Sequence, residues 1–167
     1  GMIMSDDSLN IERMPTIGIV QTYPLTGFNG DGPSHGTAMA TGVRARKGAV
    51  GIDADGKPLK TLIDYAKEQR MATGIVSANS LMEGSLAPFV AHVENRMQLE
   101  EIAKAYVEKE LDVFIGSGIQ HFTNRQDGKD FLPELSRKGY QITRSEQELQ
   151  NVSGSKLAGF IAASEEC

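Results

Sequence analysis

Residues 30–53 contain the side chains and spacings that most directly suggest chemistry. Small and turn-forming residues come first and lead into the run Thr-Ala-Met-Ala at 37–40, an order that predicts a loop followed by the N-terminus of a helix. The first N–H groups of a helix have no partner within it, and the helix dipole makes that end positive. Because small side chains would let an anion reach those groups, the stretch predicts an oxyanion site. A glycine-rich turn that only caps the helix is the competing interpretation.

Two nucleotide-binding motifs can be compared with the same stretch. A P-loop requires a lysine immediately before its Ser or Thr, and Gly36 occupies that position before Thr37. The glycines at 30, 32 and 36, followed about 20 residues later by Asp53, match a stretched dinucleotide-binding pattern. The preceding apolar run is too far from the first glycine for the tight strand-to-helix turn of that motif. A nucleotide-dependent oxidoreductase is therefore a distant alternative.

The loop at residues 78–85 is a second candidate site. It follows a predicted buried strand, and ligands of parallel α/β sheets bind beyond the carboxyl ends of strands. Only Gly84 separates Glu83 from Ser85, so their oxygens could face one cavity. Such oxygens suit Mg²⁺, which keeps several of its own waters. Alternatively, Ser85 only caps the helix that follows.

Arg96 and the three histidines are the remaining candidates. Arg96 begins a predicted helix, where its planar guanidinium suits a phosphate, although a surface ion pair with a neighbouring glutamate is the alternative. His92 lies in an apolar segment and is expected to be hydrogen-bonded within the structure. His35 either contacts an anion or points to solvent, and the position of His121 in a loop suggests no particular role. Three histidines and one cysteine are too few for a closed zinc site unless carboxylates complete it.

Composition limits the possible functions. The 167 residues, 40% of them hydrophobic and 23% charged, are typical of a single globular domain. The net charge of −5 argues against a general nucleic-acid binder. No apolar run approaches the roughly 20 residues of a membrane span, and no basic-then-apolar signal peptide opens the sequence. The single cysteine, Cys167, excludes an internal disulfide.

The pattern of predicted elements favours an α/β fold with a mostly parallel sheet and helices on both faces. The first residues, 1–14, are predicted to form a flexible arm. Period-2 and apolar runs predict strands, and 3.6-residue periodicity predicts helices. The predicted strands are 16–23, 72–77, 111–116, 140–143 and 156–163; the predicted helices are one ending near residue 41, then 59–69, 86–93, 96–110, 131–138 and 145–149.

Taken together, these motifs resemble those of the alkaline phosphatase family. The sequences Ala-Met-Ala-Thr-Gly-Val at 38–43 and Gly-Ala-Val-Gly-Ile-Asp at 48–53 are similar to the stretch after the family's nucleophile. The sequence Val-Ala-His-Val at 90–93, leading to Arg96, is similar to the segment before its phosphate-clamping arginine. Shorter similarities follow at 56–62, 116–118, 127–128 and 138–140.

The resemblance implies a partial three-layer sandwich and a single domain over residues 1–167. Members of this family hydrolyse phosphomonoesters with a serine held between two zinc ions, assisted by a nearby Mg²⁺. By resemblance, Arg96 is the phosphate clamp, Glu83 and Ser85 occupy Mg²⁺-ligand positions, and Asp31 is the acidic residue before the nucleophile. Phosphate or a phosphomonoester is then the expected ligand, and a periplasmic or extracellular location is expected.

The departures from the family pattern matter equally. Gly32 occupies the position of the nucleophilic serine, and Ser34 could bind phosphate or replace that serine only if the loop shifted. The family's opening metal-binding segment and its later zinc ligands have no counterpart in these residues. The sequence therefore predicts an inactive phosphatase domain, with a non-catalytic phosphate-binding or interaction module as the alternative. A sulfatase- or phosphodiesterase-type hydrolase lacks its nucleophile here as well. A homodimer that covers an exposed apolar patch is also expected.

Overall fold

Within the part of the chain that the structure describes, four parallel strands form one sheet. The computed structural model describes residues 13–16, 18, 21 and 23–161. The strands are β1 (Gly74–Ser80), β2 (Val113–Ser117), β3 (Gln141–Thr143) and β4 (Leu157–Gly159). Their order is β1-β2-β4-β3, and all three pairings are parallel. Because parallel neighbours require crossover connections, helices lie between the strands in sequence, and the predicted α/β class is confirmed.

The helices of the described chain are short. They are α1 (Gly32–Thr41), α2 (Leu62–Glu68), α3 (Leu99–Lys109), α4 (Gln120–Thr123), α5 (Leu132–Arg137) and α6 (Glu146–Leu149). A 3₁₀ turn occupies Ala87–Phe89. No helix in these residues is long and apolar enough to cross a membrane.

Side-chain caps decide where several helices begin. The Thr61 hydroxyl accepts from the Asp64 N–H, and the Asp64 carboxylate accepts from the Thr61 N–H, so α2 starts later than residue 59. Ser145 and Glu148, three residues apart, predict a capping box at α6, and half of it is present: the Ser145 hydroxyl accepts a 3.2 Å hydrogen bond from the Glu148 N–H, whereas the Glu148 carboxylate accepts from the Arg144 N–H. Each such cap contributes about 1 kcal/mol.

Two sequence predictions need correction. The helix predicted at 86–93 is wrong beyond the single 3₁₀ turn, because Val93 leaves the helical path to pair with Val50 in an antiparallel bridge. The helix predicted from residue 96 begins only at Leu99, because the Arg96 N–H donates to the Gly48 carbonyl at 2.9 Å. The arm predicted at 1–14 lies mostly outside the described residues. Several positions of the strand predicted at 16–23 also lie outside the described residues. The arm and this strand therefore stay predictions.

One face of the sheet carries the core. Ile75, Phe114 and Ala158 are aligned across three strands and are buried. Tyr106 and Phe122 pack against them, with the Tyr106 and Phe114 ring centroids 5.4 Å apart. The buried Tyr106 hydroxyl donates to the Leu81 carbonyl at 2.9 Å, which connects α3 to the segment that follows β1. The core therefore fixes the carboxyl end of β1, where the candidate site begins.

Candidate functional site

The loop after β1 packs closely against the N-terminus of α1. A Cβ atom placed on Gly36 would lie 2.6 Å from the Ser85 carbonyl oxygen. One placed on Gly84 would lie 2.6 Å from Pro33 Cδ. Both distances are too short for real side chains, so these two glycines are required by close packing rather than by backbone freedom. This contact brings Ser85 to Gly32, the first residue of the helix.

Asp31 caps α1 and also reaches a second loop. Its Oδ1 accepts from the Ser34 N–H at 3.0 Å, and its Oδ2 accepts from the Gly48 N–H at 2.8 Å. Partial burial alone would raise the pKa of Asp31. Hydrogen bonds from Ser34 and Gly48 and the attraction of Arg96 outweigh burial and lower that pKa below its ordinary value. The carboxylate therefore stays charged at neutral pH.

Gly48 joins Asp31 to Arg96. Its N–H donates to the Asp31 carboxylate, and its carbonyl accepts from the Arg96 N–H. The Arg96 side chain is exposed, and its charge lies close enough to contribute to the lowered pKa of Asp31. An arginine is thus held beside the positive end of α1 with its guanidinium accessible, which is an arrangement suited to an anion.

Ser34 belongs to the cap. It is buried, and its hydroxyl accepts from the Asp31 N–H at 3.2 Å and donates to the Asp31 carbonyl at 3.1 Å. In this conformation the hydroxyl holds the first turn of α1 together. Phosphate binding by Ser34 stays a prediction that requires this turn to open.

His92 and His35 lie in different environments. The His92 Nε2 atom lies 2.8 Å from the Leu59 carbonyl, as expected for a histidine hydrogen-bonded within the structure. The His35 Nε2 atom is buried without a hydrogen-bond partner among the described residues. It lies so near Gly30 that a Cβ atom there would overlap it. Gly30 is therefore explained by the His35 ring rather than by a dinucleotide motif.

The proposed metal ligands are incomplete in the described chain. Among these residues there is no group of three or more His, Cys, Asp and Glu side chains that could hold a metal ion. Glu83 and Ser85 offer one carboxylate and one hydroxyl, whereas Mg²⁺ requires about six oxygens, some of them water. Both Asp31 oxygens accept hydrogen bonds, from the Ser34 and Gly48 N–H groups, so this carboxylate is oriented by the cap and the loop. The residues therefore fit a Mg²⁺ site only in part and do not fit a zinc site.

Comparison with known proteins identifies the family. The family model described as "Alkaline phosphatase" matches residues 1–165. The chain belongs to the alkaline phosphatase family. Its sequence is 31% identical to Alkaline phosphatase 4 of Bacillus subtilis over 138 residues, which cover 79% of this chain and 30% of that protein.

Solved structures of alkaline phosphatases share the fold. The alkaline phosphatase of the Antarctic bacterium TAB5 superposes with a TM-score of 0.89 at 28% identity and covers 95% of this chain. The Thermus thermophilus enzyme gives a TM-score of 0.80 at 34% identity over 85% of this chain. The alkaline phosphatase resemblance predicted from the sequence motifs is confirmed. This chain spans only 47% and 30% of those two structures, respectively.

Sequence reasoning missed three residues that organise the site. Gly48 carries both links between Asp31 and Arg96, Thr37 hydrogen-bonds the same loop, and Gly51 has a φ of 64° within it. The sequence signals there were the pair of glycines flanking Ala49 and Val50 and the resemblance of residues 48–53 to the family. A glycine pair indicates a turn, but it does not reveal which distant residues the turn contacts.

Proposed function

We propose that this chain is the phosphate-binding part of an alkaline phosphatase-type phosphomonoesterase and does not hydrolyse substrate by itself. The link from Asp31 through Gly48 to Arg96 is the observation that supports phosphate binding. Gly32, which has no hydroxyl at the first position of α1, supports inactivity. The alternative is a non-catalytic phosphate-binding or interaction module that keeps Arg96 and the loop but not the chemistry.

The described residues can account for binding and orientation of the phosphate. The Gly32 N–H at the start of α1 and the Arg96 guanidinium provide hydrogen-bond donors and positive charge for its oxygens, whereas Pro33 has no N–H and the Ser34 N–H donates to Asp31. Asp31 cannot approach the phosphate without repulsion. Its oxygens instead accept from Ser34 and Gly48, which holds the cap and the loop in place. The expected substrate class is a phosphomonoester, because a terminal phosphate has free oxygens to fill such a site.

Metal binding is proposed only on the basis of the family. When bound, Mg²⁺ and Zn²⁺ supply positive charge that stabilises the entering and leaving oxygens of such a displacement. Glu83 and Ser85 would contribute to the Mg²⁺ site, and the remaining ligands would come from outside the described residues. A variant of the TAB5 enzyme is described with Mg bound in its M3 site. A periplasmic or extracellular location and a homodimer are likewise proposed from the family alone.

Calorimetry with inorganic phosphate and with vanadate tests the binding site. We expect the unmodified chain to bind both anions and Arg96→Ala to weaken binding at least tenfold, because a charged hydrogen bond contributes about 1.5–3 kcal/mol. Arg137→Ala is the matched control, since Arg137 is an exposed arginine in the last turn of α5. Equal affinity of the Arg96→Ala variant and the unmodified chain would remove the basis for the proposal.

A serine at position 32 tests the inactivity. A Cβ atom on Gly32 would lie 3.4 Å from the Ser85 N atom, an ordinary contact, so Gly32→Ser and its control Gly32→Ala should both fold. We expect no hydrolysis of p-nitrophenyl phosphate with Zn²⁺ and Mg²⁺ by the unmodified chain or by either variant. Turnover by Gly32→Ser but not by Gly32→Ala would show that the missing serine, rather than missing metal ligands, limits activity.

A further inference from the structure

Thr37 is a buried polar residue in the middle of α1 that no part of the phosphate site requires directly. Its side chain is fully buried, and its hydroxyl donates to the Ala49 carbonyl at 3.4 Å and accepts from the Gly51 N–H at 3.0 Å. These contacts join residues separated by 12 and 14 positions in the sequence. One hydroxyl therefore attaches the loop at 48–51 to the helix whose N-terminus faces the candidate anion site.

The same loop holds Asp31 and Arg96. Gly48 binds Asp31 through its N–H and Arg96 through its carbonyl, at 2.8 and 2.9 Å. Val50 pairs with Val93 through two backbone hydrogen bonds of 2.9 Å each, which ties the loop to the segment leading to Arg96. A shift of the loop relative to α1 would therefore move Arg96 relative to the N-terminus of that helix.

The loop has little freedom to find another arrangement. Gly51 is buried with a φ of 64°, and a Cβ atom on it would overlap the Ala91 carbonyl oxygen. Ala49 and Val50 are also buried. Without the Thr37 hydroxyl, the Gly51 N–H would lack this partner away from water, which is costly. The loop would then have to open for solvent to satisfy that group.

We infer that Thr37 is a positioning residue for the phosphate site, acting through the loop at 48–51 to hold Arg96 against the N-terminus of α1. The role rests on the proposed phosphate binding. It extends that proposal by naming a buried side chain that sets phosphate affinity without touching phosphate. The coupling between Thr37 and Arg96 is independent of whether the anion binds, so the two can be tested separately.

Thr37→Val, which keeps the shape and removes the hydroxyl, is the deciding variant, and Thr37→Ser is the conservative one. Amide hydrogen exchange reports the loop through the N–H groups of Gly48, Gly51 and Arg96. We expect Thr37→Val to speed their exchange about five- to tenfold, as loss of about 1 kcal/mol implies. Strand amides such as that of Phe114 should be unaffected, and Thr37→Ser should restore the slow exchange.

Phosphate affinity is the second readout. We expect Thr37→Val to raise the Kd for inorganic phosphate about three- to tenfold and Thr37→Ser to return it close to the unmodified value. Thr143→Val is the matched control, because the Thr143 hydroxyl is buried in β3 without a hydrogen-bond partner among the described residues. That substitution should leave both loop exchange and phosphate affinity unchanged.

Separate outcomes overturn separate claims. If Thr37→Val accelerates exchange at Gly51 but leaves Gly48 and Arg96 protected, the positioning role is wrong whatever phosphate does. If the unmodified chain binds no phosphate while the three amides respond together, the phosphate-binding proposal fails and the coupling stands. If Thr37→Val does not fold, amide hydrogen exchange in the unmodified chain tests the coupling instead. Gly51 and Arg96 must then open with the same free energy, and unequal values would contradict the coupling.

Discussion

Asp31 and Arg96 are held on either side of one residue, Gly48, whose N–H donates to the Asp31 carboxylate and whose carbonyl accepts from the Arg96 N–H. The two charged residues are 65 positions apart in the printed sequence, and the short loop brings them together. Asp31 also caps α1, so the helix, the loop and the arginine share one hydrogen-bonded unit. The position of Arg96 thus depends on its own backbone and on Gly48 rather than on an ion pair alone.

This unit predicts a pH dependence. The pKa of Asp31 is lower in the folded protein than its ordinary value of 3.8, so its carboxylate stabilises the fold above that pH. The contribution is lost as the pH falls through the lowered pKa. We expect Asp31→Asn to reduce the free energy of unfolding by about 1 kcal/mol at pH 6 and by less at pH 3, because the amide can still cap α1 but its NH₂ group cannot accept from the Gly48 N–H. Urea denaturation at both pH values measures the difference, and an equal loss at the two values would contradict it.

A second prediction concerns the contact between Gly30 and His35. Because a Cβ atom on Gly30 would overlap the His35 ring, Gly30→Ala should destabilise the fold by about 1–3 kcal/mol through overpacking. His35→Ala removes the ring and should make the second substitution nearly harmless. A double-mutant cycle by thermal or urea denaturation measures the coupling. Additive effects would mean that the ring is not what excludes a side chain at residue 30.

Much of the fold could be predicted from local sequence patterns. The periodicity of residues 99–107 and the apolar run at 113–115 gave α3 and β2, and Ser145 with Glu148 gave the cap of α6. These features depend on neighbours within a few positions. The order of the motifs also indicated the family, because matching motifs to those of relatives requires no knowledge of the contacts within the fold.

The remaining features depend on distant contacts. Residues 86–93 are apolar enough for a helix, but Val93 gains two backbone hydrogen bonds from Val50 instead. Thr37 looked like an ordinary helix residue, because its partners lie 12 and 14 positions away. Glu83, Ser85 and Arg96 were predicted as ligands by resemblance, and their roles stay predictions. Local propensity carries no information about which loop packs on which helix.

The two kinds of glycine in this region should respond differently to alanine. Gly51 combines a φ of 64° with close approach to the Ala91 carbonyl oxygen, whereas Gly42 has a φ of 76° and open space around its Cα. We expect Gly51→Ala to cost about 3 kcal/mol or more from strain and overlap together, and Gly42→Ala about 1 kcal/mol from strain alone. Chemical denaturation measures both. Similar losses at the two positions would mean that backbone conformation, not the Ala91 contact, governs the loop.

The last prediction concerns Arg125 and the stability of the contact between α3 and the loop before α5. Its buried guanidinium forms two hydrogen bonds of 3.0 and 2.8 Å to the Asp127 carboxylate. It also donates at 2.7 Å to the Glu100 carbonyl in the first turn of α3, and it lies 4.5 Å from the centre of the Phe131 ring. The hydrogen bond from Arg125 lowers the pKa of Asp127 to about 2. The guanidinium therefore connects α3 to the loop before α5.

Arg125→Met should lower the free energy of unfolding by about 2–4 kcal/mol, because a charged hydrogen bond contributes about 1.5–3 kcal/mol and the carbonyl of Glu100 loses its partner. Lys129→Met is the matched control, since Lys129 is exposed and lies 3.9 Å from the same carboxylate. An exposed ion pair contributes about 0–1 kcal/mol, so that variant should differ little from the unmodified chain. Urea denaturation at neutral pH compares the two. Equal losses would show that the charge of Asp127, rather than the buried links of Arg125, holds this part of the fold.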